Sequence, residues 1–141
     1  MRLLAAIGVM SLCVTIHAAG LSWAIKRLRR LAERVRSFWD STWLFIVVAV
    51  WIVVLHLAEI SAFGIFFAWR GAMPDLTTAV YFSAVTYTTT GYGDLVLPQD
   101  WRLVGAIEAL TGILMCGWST AFFLAIVSRL DQPRNVPGSP H

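Results

Sequence analysis

Charged residues are scarce in this chain. Of its 141 residues, 13% are Asp, Glu, Lys or Arg, whereas 58% are hydrophobic. A soluble domain carries about twice that share of charge, so the composition excludes a water-soluble globular protein. The apolar residues form three runs long enough to cross about 30 Å of hydrocarbon as helices, at residues 3–25, 43–69 and 102–129. We therefore predict an all-α integral membrane protein.

Cysteine is also nearly absent. The two cysteines, Cys13 and Cys116, lie inside apolar runs, where cysteine usually behaves as a small hydrophobic residue. No disulfide framework is therefore expected. The sequence shows no nucleophile triad, no phosphate-binding glycine loop and no spacing typical of metal ligands. We expect no enzyme activity and no cofactor.

The few charges are unevenly distributed. Between residues 26 and 36 there is one acid, Glu33, and there are six bases. Such a cluster marks a cytoplasmic membrane surface and attracts anionic lipids, whereas no basic fold flanks it to indicate nucleic-acid binding. Apolar residues recur there at helical spacing, which predicts an amphipathic helix lying flat in the interface over residues 26–41, with a solvated connector as the alternative. The predicted lipid-binding residues are Lys26, Arg27, Arg29 and Arg30.

The first apolar run allows two interpretations. Arg2, an apolar stretch and then Ala18, Ala19 and Gly20 are similar to a cleavable secretory signal. Cleavage would leave the basic cluster outside the cell, whereas a retained helix with its N-terminus outside puts that cluster inside. We predict a retained helix over residues 1–25 in a multi-pass protein of the cell membrane, with the N-terminus outside and the C-terminus inside.

A short polar motif separates the two later runs. The heptapeptide TTTGYGD, residues 88–94, follows a segment at 75–87 that is too short to cross a membrane. Asp75 favours a helix start there, because its carboxylate faces the positive end of the helix dipole. Gly91 and Gly93 tolerate backbone angles closed to other residues, so consecutive carbonyl groups can point to one side. The sequence predicts a re-entrant helix followed by a loop lined with carbonyl oxygens.

Over residues 42–130 this arrangement resembles the pore module of tetrameric potassium channels. The resemblance implies an outer helix at 43–69, a pore helix at 75–87, a filter at 88–94 and an inner helix at 102–129. It also implies a homotetramer, because each chain supplies one filter segment and four are needed around one axis. Potassium would be the only bound ion. The expected ion-binding residues are Thr89, Thr90, Gly91, Tyr92 and Gly93, supported by Thr88, Val85 and Asp94.

The chain departs from this family pattern beside the filter. Val85 stands where some bacterial channels place a carboxylate that pairs with the aspartate matching Asp94, so that pairing is impossible here. Tyr81 and Phe82 replace tryptophans that hold the filter tyrosine in many relatives, and Thr90 replaces an aliphatic residue. Two other classes of protein therefore stay open. One is a non-conducting protein that keeps the pore fold for assembly, and the other is a potassium-transporter subunit.

The inner helix is expected to carry any gate. By resemblance, Gly112 is a candidate hinge, and four-residue steps from it place Cys116, Thr120 and Leu124 on one face. That face suits either a water-filled cavity or packing against a neighbouring helix. No regular arginine repeat of a voltage sensor is present. The tail at 131–141, with three prolines, is predicted to be disordered.

Four ionisable residues lie at membrane depth, where charge is costly: His17, His56, Glu59 and Glu108. His56 and Glu59 are three residues apart and share a helix face. We consider a hydrogen-bonded set of Glu108 with His56 or Glu59 behind the filter. Its protonation would alter conduction, or it would be a fixed structural tie that never titrates.

Overall fold

A computed structural model describes residues 1–32 and 37–131, and this part of the chain forms four α-helices and one short 3₁₀ helix. Three of the helices, α1, α2 and α4, are long and apolar enough to cross a membrane. The predicted all-helical membrane fold with three spans is therefore confirmed. The elements are α1 at Arg2–Ala32, α2 at Phe38–Trp69, α3 at Leu76–Tyr87, a 3₁₀ turn at Gln99–Trp101 and α4 at Arg102–Asp131.

Helix α1 is longer than the predicted span of residues 1–25. It continues through the first basic residues to Ala32, because Lys, Arg, Leu and Ala are strong helix formers. Residues 26–32 of the segment predicted as a flat helix therefore continue α1, and an orientation flat in the interface stays a prediction. Residues 33–36 and 132–141 lie outside the described part of the chain, as do the side chains of Arg29 and Arg30, so the predicted lipid contacts and tail stay predictions there.

Helix α2 begins at a reciprocal cap. The Ser37 side chain accepts a hydrogen bond from the Asp40 backbone N–H at 3.2 Å, and the Asp40 carboxylate accepts one from the Ser37 N–H at 3.0 Å. This capping box satisfies two N–H groups that no helical carbonyl can reach. It fixes where the chain re-enters the bundle.

Helix α3 is a 12-residue segment, about 18 Å long, and is therefore too short to cross a membrane. Asp75 starts it by accepting hydrogen bonds from the backbone N–H and the hydroxyl of Thr78, at 2.8 and 2.7 Å. These bonds lower the pKa of Asp75. Gly64 of α2 lets the two helices come close, because a Cβ atom there would lie 2.7 Å from Val80 Cγ2.

Helix α1 begins at the end of the bundle that carries the loop after α3. There, Arg2 forms an ion pair of 2.7 Å with Asp100, and its guanidinium lies 5.1 Å from the Trp101 ring centre. An exposed pair of this kind contributes about 0–1 kcal/mol to stability. It shows where α1 begins but does little to hold it there. Helix α1 therefore runs antiparallel to α2, as the predicted topology requires.

Aromatic rings pack α2 against α3 and against the 3₁₀ turn. Phe67 of α2 makes edge-on contacts with Phe82 of α3 at 5.6 Å and with Trp101 at 6.4 Å between ring centres. Phe66 also meets Trp101 at 6.0 Å. Such pairs add about 0.5–1.5 kcal/mol each beyond the area they bury. They join the end of α2 to the middle of α3 and to the turn that precedes α4.

Candidate functional site

The loop after α3 has an alternating backbone. Thr89, Gly91 and Gly93 have φ angles of 58°, 56° and 78°, whereas Thr90 and Tyr92 between them do not have positive φ. In an extended strand successive residues face opposite sides, so a left-handed residue at every second position can bring successive carbonyls to one side. Thr89 adopts this conformation without being glycine, at a cost of roughly 1–3 kcal/mol. Such strain is typical of functional loops.

Backbone N–H groups fasten this loop to the end of α3. The Val85 carbonyl accepts hydrogen bonds from the Thr90 and Gly91 N–H groups, at 3.0 and 3.3 Å. The hydroxyls of Thr88 and Thr90 are 2.9 Å apart. No described residue donates a hydrogen bond to the carbonyl oxygens of residues 89–92. The N–H groups of Thr90 and Gly91 are therefore engaged while the carbonyl oxygens of residues 89–92 are free, as a cation site needs, and Val85 acts through its carbonyl.

Tyr81 braces the loop from outside. Its hydroxyl donates to Asp94 Oδ2 at 2.7 Å, and Asp94 Oδ1 accepts the Leu95 N–H at 3.0 Å. This bond differs from the tryptophan contact with the filter tyrosine, and the loss of that contact stays a prediction. The brace acts on the aspartate that ends the loop, and the hydrogen bond to Asp94 raises the pKa of Tyr81.

Substitution of Tyr81 by phenylalanine tests this brace. We expect the unfolding temperature of the assembled protein to fall by about 2–4 °C, because the bond to Asp94 is lost. A raised pKa means that the bond is fully present below the ordinary tyrosine pKa of about 10 and is lost as pH rises through the raised value. The difference in unfolding temperature between wild type and variant should therefore vanish in strong alkali. A difference in unfolding temperature that stays constant from pH 8 to 12 would contradict a stabilising bond between Tyr81 and Asp94.

Helix α4 passes directly behind the start of the loop. A Cβ atom at Gly112 would overlap the carbonyl oxygen of Tyr87, the last residue of α3. Glycine is thus needed here for close packing, and its role as a hinge stays a prediction. The predicted cavity residues Cys116, Thr120 and Leu124 are exposed in the single chain, which suits a cavity or a neighbouring subunit equally.

Five polar side chains meet inside the bundle, and we call them the polar cluster. His17 Nδ1 lies 2.8 Å from Glu59 Oε1, and the Tyr87 hydroxyl donates to Glu59 Oε2. His56 Nδ1 is 3.1 Å from the Tyr87 hydroxyl. Ser119 Oγ lies 3.0 Å from His17 Nε2 and 3.2 Å from His56 Nε2. The cluster takes at least one side chain from each of the four helices, and it is buried except for His56, which is partly exposed.

The polar cluster lies next to the loop in the chain. Tyr87 ends α3 and directly precedes Thr88, the first residue of the loop motif. Through Tyr87, the carboxylate of Glu59 on α2 and the imidazole of His17 on α1 connect to the base of the loop. A buried carboxylate requires partners of this kind, because an unpaired charge at this depth is costly. The N-terminal helix is therefore tied to the loop by hydrogen bonds.

The structure separates the ionisable set expected from the sequence. His56 and Glu59 do meet, but Glu108 joins neither of them. Glu108 is fully buried, and Ser83 of α3 lies beside it. The partners of Glu59 and His56 are instead His17 and Tyr87. Any effect of protonation on conduction stays a prediction.

Sequence reasoning identified His17 only as a costly residue at membrane depth, and it missed Tyr87 and Ser119. Three-residue spacing reveals that His56 and Glu59 share a face, but no pattern in α1 or α4 indicates which residue meets them. The sequence offered one signal for these contacts, which was the depth of each residue in the membrane. Counting residues from the loop places His17, His56 and Ser119 at similar heights in an antiparallel bundle.

Comparison with known proteins identifies a family. A family model described as an ion channel matches residues 51–129, which is more than half of the chain. The match covers most of α2, all of α3 and the loop, and nearly all of α4. No curated protein and no solved structure matches the chain.

Proposed function

Because this chain belongs to the ion channel family, we propose that four copies of it form a passive, potassium-selective channel in the cell membrane. The observation that carries the proposal is the alternating backbone of residues 89–93, with its free carbonyl oxygens. Rings of four such oxygens replace the hydration shell of potassium. The proposed ion-binding residues are Thr89, Thr90, Gly91, Tyr92 and Gly93, with the Thr89 hydroxyl closing the innermost site.

Electrostatics favour a cation at both ends of this loop. Helix α3 ends at the start of the loop, and the C-terminal end of a helix carries partial negative charge. At the other end stands Asp94, held by Tyr81. Four copies of each around one axis would attract cations from both sides, while the carbonyl rings between them discriminate among cations.

One chain supplies one loop, so a closed ring requires four. In the single chain the loop residues and much of the apolar surface of α4 are exposed, including Leu110, Ile113 and Leu114. Contact between subunits would cover part of this surface. A chain of 15.7 kDa gives a tetramer of about 63 kDa, and the transporter alternative predicts a different subunit number.

We propose that the basic end of α1 faces the cytoplasm, which places both the loop and the N-terminus outside. Arg27 lies 5.5 Å from the ring centre of the exposed Trp23, and tryptophan with arginine is typical of a membrane interface. Anionic lipids would bind at Lys26 and Arg27, together with Arg29 and Arg30. No enzymatic role is proposed.

Flux from liposomes tests the function. We expect protein reconstituted at about one tetramer per vesicle to release potassium along its gradient, to be blocked by barium, and to pass sodium at least about tenfold more slowly. Empty vesicles are the control. Intact tetramers without flux would favour a non-conducting scaffold and contradict the proposal, and equal potassium and sodium flux would contradict selectivity.

A further inference from the structure

The polar cluster has the composition of a transition-metal site. His17, His56 and Glu59 each offer a ligand atom, and these atoms lie within 4.8 Å of one another. The Nδ1 atoms of the two histidines face the same carboxylate, at 2.8 Å for His17 and 3.5 Å for His56. The Tyr87 hydroxyl adds a fourth candidate ligand, hydrogen-bonded to Glu59 and 3.1 Å from His56 Nδ1.

The ligand atoms are close enough together for side-chain adjustment to give a tetrahedral site. Zinc bonds to nitrogen and oxygen of about 2.0–2.2 Å place tetrahedral ligands roughly 3.3–3.6 Å apart. The contact of His56 Nδ1 with Glu59 Oε2, at 3.5 Å, lies inside that range, and the contact of His17 Nδ1 with Glu59 Oε1, at 2.8 Å, is shorter. The candidate ligand atoms lie within 4.8 Å of one another, so shifts of up to about 1 Å would bring them to tetrahedral spacing. His56 has 17% of its side chain exposed, whereas His17 and Glu59 have none, so His56 offers the way in.

Ser119 supplies the outer support that such a site needs. When both Nδ1 atoms bind a metal, both Nε2 atoms carry hydrogen and must donate. Ser119 Oγ lies within 3.2 Å of both, and one hydroxyl oxygen has two lone pairs to accept them. Its own hydrogen can bond to the carbonyl of the preceding helical turn. Ligating histidines are commonly fixed in this way through their second nitrogen.

Without a metal, the polar cluster is one hydrogen short. Its five hydrogen-bond contacts need five hydrogens, whereas two neutral imidazoles, a phenol and a hydroxyl supply four when Glu59 is ionised. An extra proton or a metal cation would complete it. A divalent ion with ionised Glu59 and Tyr87 gives a neutral buried site, so both the charge and the hydrogen bonds balance.

We propose that the polar cluster binds one divalent transition-metal ion of the zinc class per chain. The ligands are His17 Nδ1, His56 Nδ1, a Glu59 oxygen and the Tyr87 oxygen. Two imidazoles with two oxygens suit zinc or cobalt better than magnesium or calcium, which prefer oxygen alone. The bound ion would cross-link α1 and α2 to the last residue of α3, at the base of the loop. This site does not depend on potassium selectivity.

Metal binding to the purified full-length chain tests the proposal without any flux measurement. Chelator-stripped protein is titrated with Co²⁺, whose visible absorption reports tetrahedral geometry, and Zn²⁺ is then added in competition. We expect saturation at one ion per chain. His17→Asn and His56→Asn, which keep a polar atom near Nδ1 but remove the imidazole, should each weaken binding about 100-fold or more. Ser119→Ala should weaken it about 10- to 100-fold.

Glu108→Gln is the matched control, because Glu108 is an equally buried carboxylate outside the polar cluster. It should leave metal affinity unchanged. X-ray absorption of the wild-type zinc complex needs no variant and should show imidazole and oxygen ligands without sulfur. No saturable binding, sulfur in the ligand set, or affinity unchanged in both folded histidine variants would overturn the metal site and leave a proton in its place.

Discussion

Replacing Gly91 with alanine should reduce potassium flux to below about 1% of wild type, while Gly71→Ala should keep it. Both glycines have left-handed backbones, with φ of 56° and 67°, and a Cβ atom added to either would have no other atom within 4 Å. The local strain of each substitution is therefore similar, roughly 1–2 kcal/mol. The two glycines differ in position: Gly71 lies in the turn after α2, whereas Gly91 lies in the proposed ion-binding loop.

The magnitude follows from symmetry. Four alanines around one axis carry roughly 4–8 kcal/mol of strain, which exceeds the approximately 2.8 kcal/mol of a hundredfold effect. Relief of that strain rotates the peptide groups and turns carbonyl oxygens away from the ion path. Liposome flux with equal amounts of assembled protein is the measurement. Equal flux through Gly91→Ala and Gly71→Ala would mean that the loop backbone does not carry the ion.

The second large effect is expected at Gly112. In Gly112→Ala, the new methyl group meets the backbone carbonyl of Tyr87, and backbone in a packed helix cannot move aside as a flexible side chain can. Overpacking of this kind costs about 1–3 kcal/mol or more, so the unfolding temperature should fall by roughly 5–15 °C. Flux should fall with it, because Tyr87 directly precedes the loop.

Gly117→Ala provides the control for this change on the same helix. Nothing lies within 4 Å of a Cβ atom at Gly117, and alanine favours a helix over glycine by about 1 kcal/mol. This variant should therefore unfold at the same temperature as wild type or slightly above it, as followed by circular dichroism. If Gly112→Ala is equally stable, α4 does not press on the end of α3, and the hinge interpretation of Gly112 gains support.

The membrane spans could be predicted because they depend on length and composition. A run of about 20 apolar residues has few alternatives to a spanning helix, and Asp75 marked the start of α3 by its chemistry. Helix ends were harder to place. The basic residues after Ile25 read as a separate interfacial helix, but they are good helix formers and extend α1 to Ala32.

The contacts around the loop could not be predicted, because they join distant parts of the chain. Ser119 and His17 are 102 residues apart, and Glu59 and Tyr87 are 28 apart. Their meeting depends on how far each helix is rotated about its axis. Helices α2 and α4 are apolar on all sides, so the sequence pattern does not indicate which face is buried.

Tyr81 shows the limit of reasoning from resemblance. Resemblance shows that Tyr81 replaces a tryptophan, but it does not show that the tyrosine hydroxyl reaches Asp94. A family comparison identifies which residue differs. The geometry identifies which atom the new side chain reaches.

The reversal potential of the purified wild-type protein in a planar bilayer tests the central claim most directly. With equal concentrations of KCl on one side and NaCl on the other, the account predicts a current that reverses at least about 59 mV from zero, toward the potassium equilibrium, which corresponds to a preference of tenfold or more. A current that reverses at zero would contradict potassium selectivity, and intact tetramers that pass no current would contradict the channel itself.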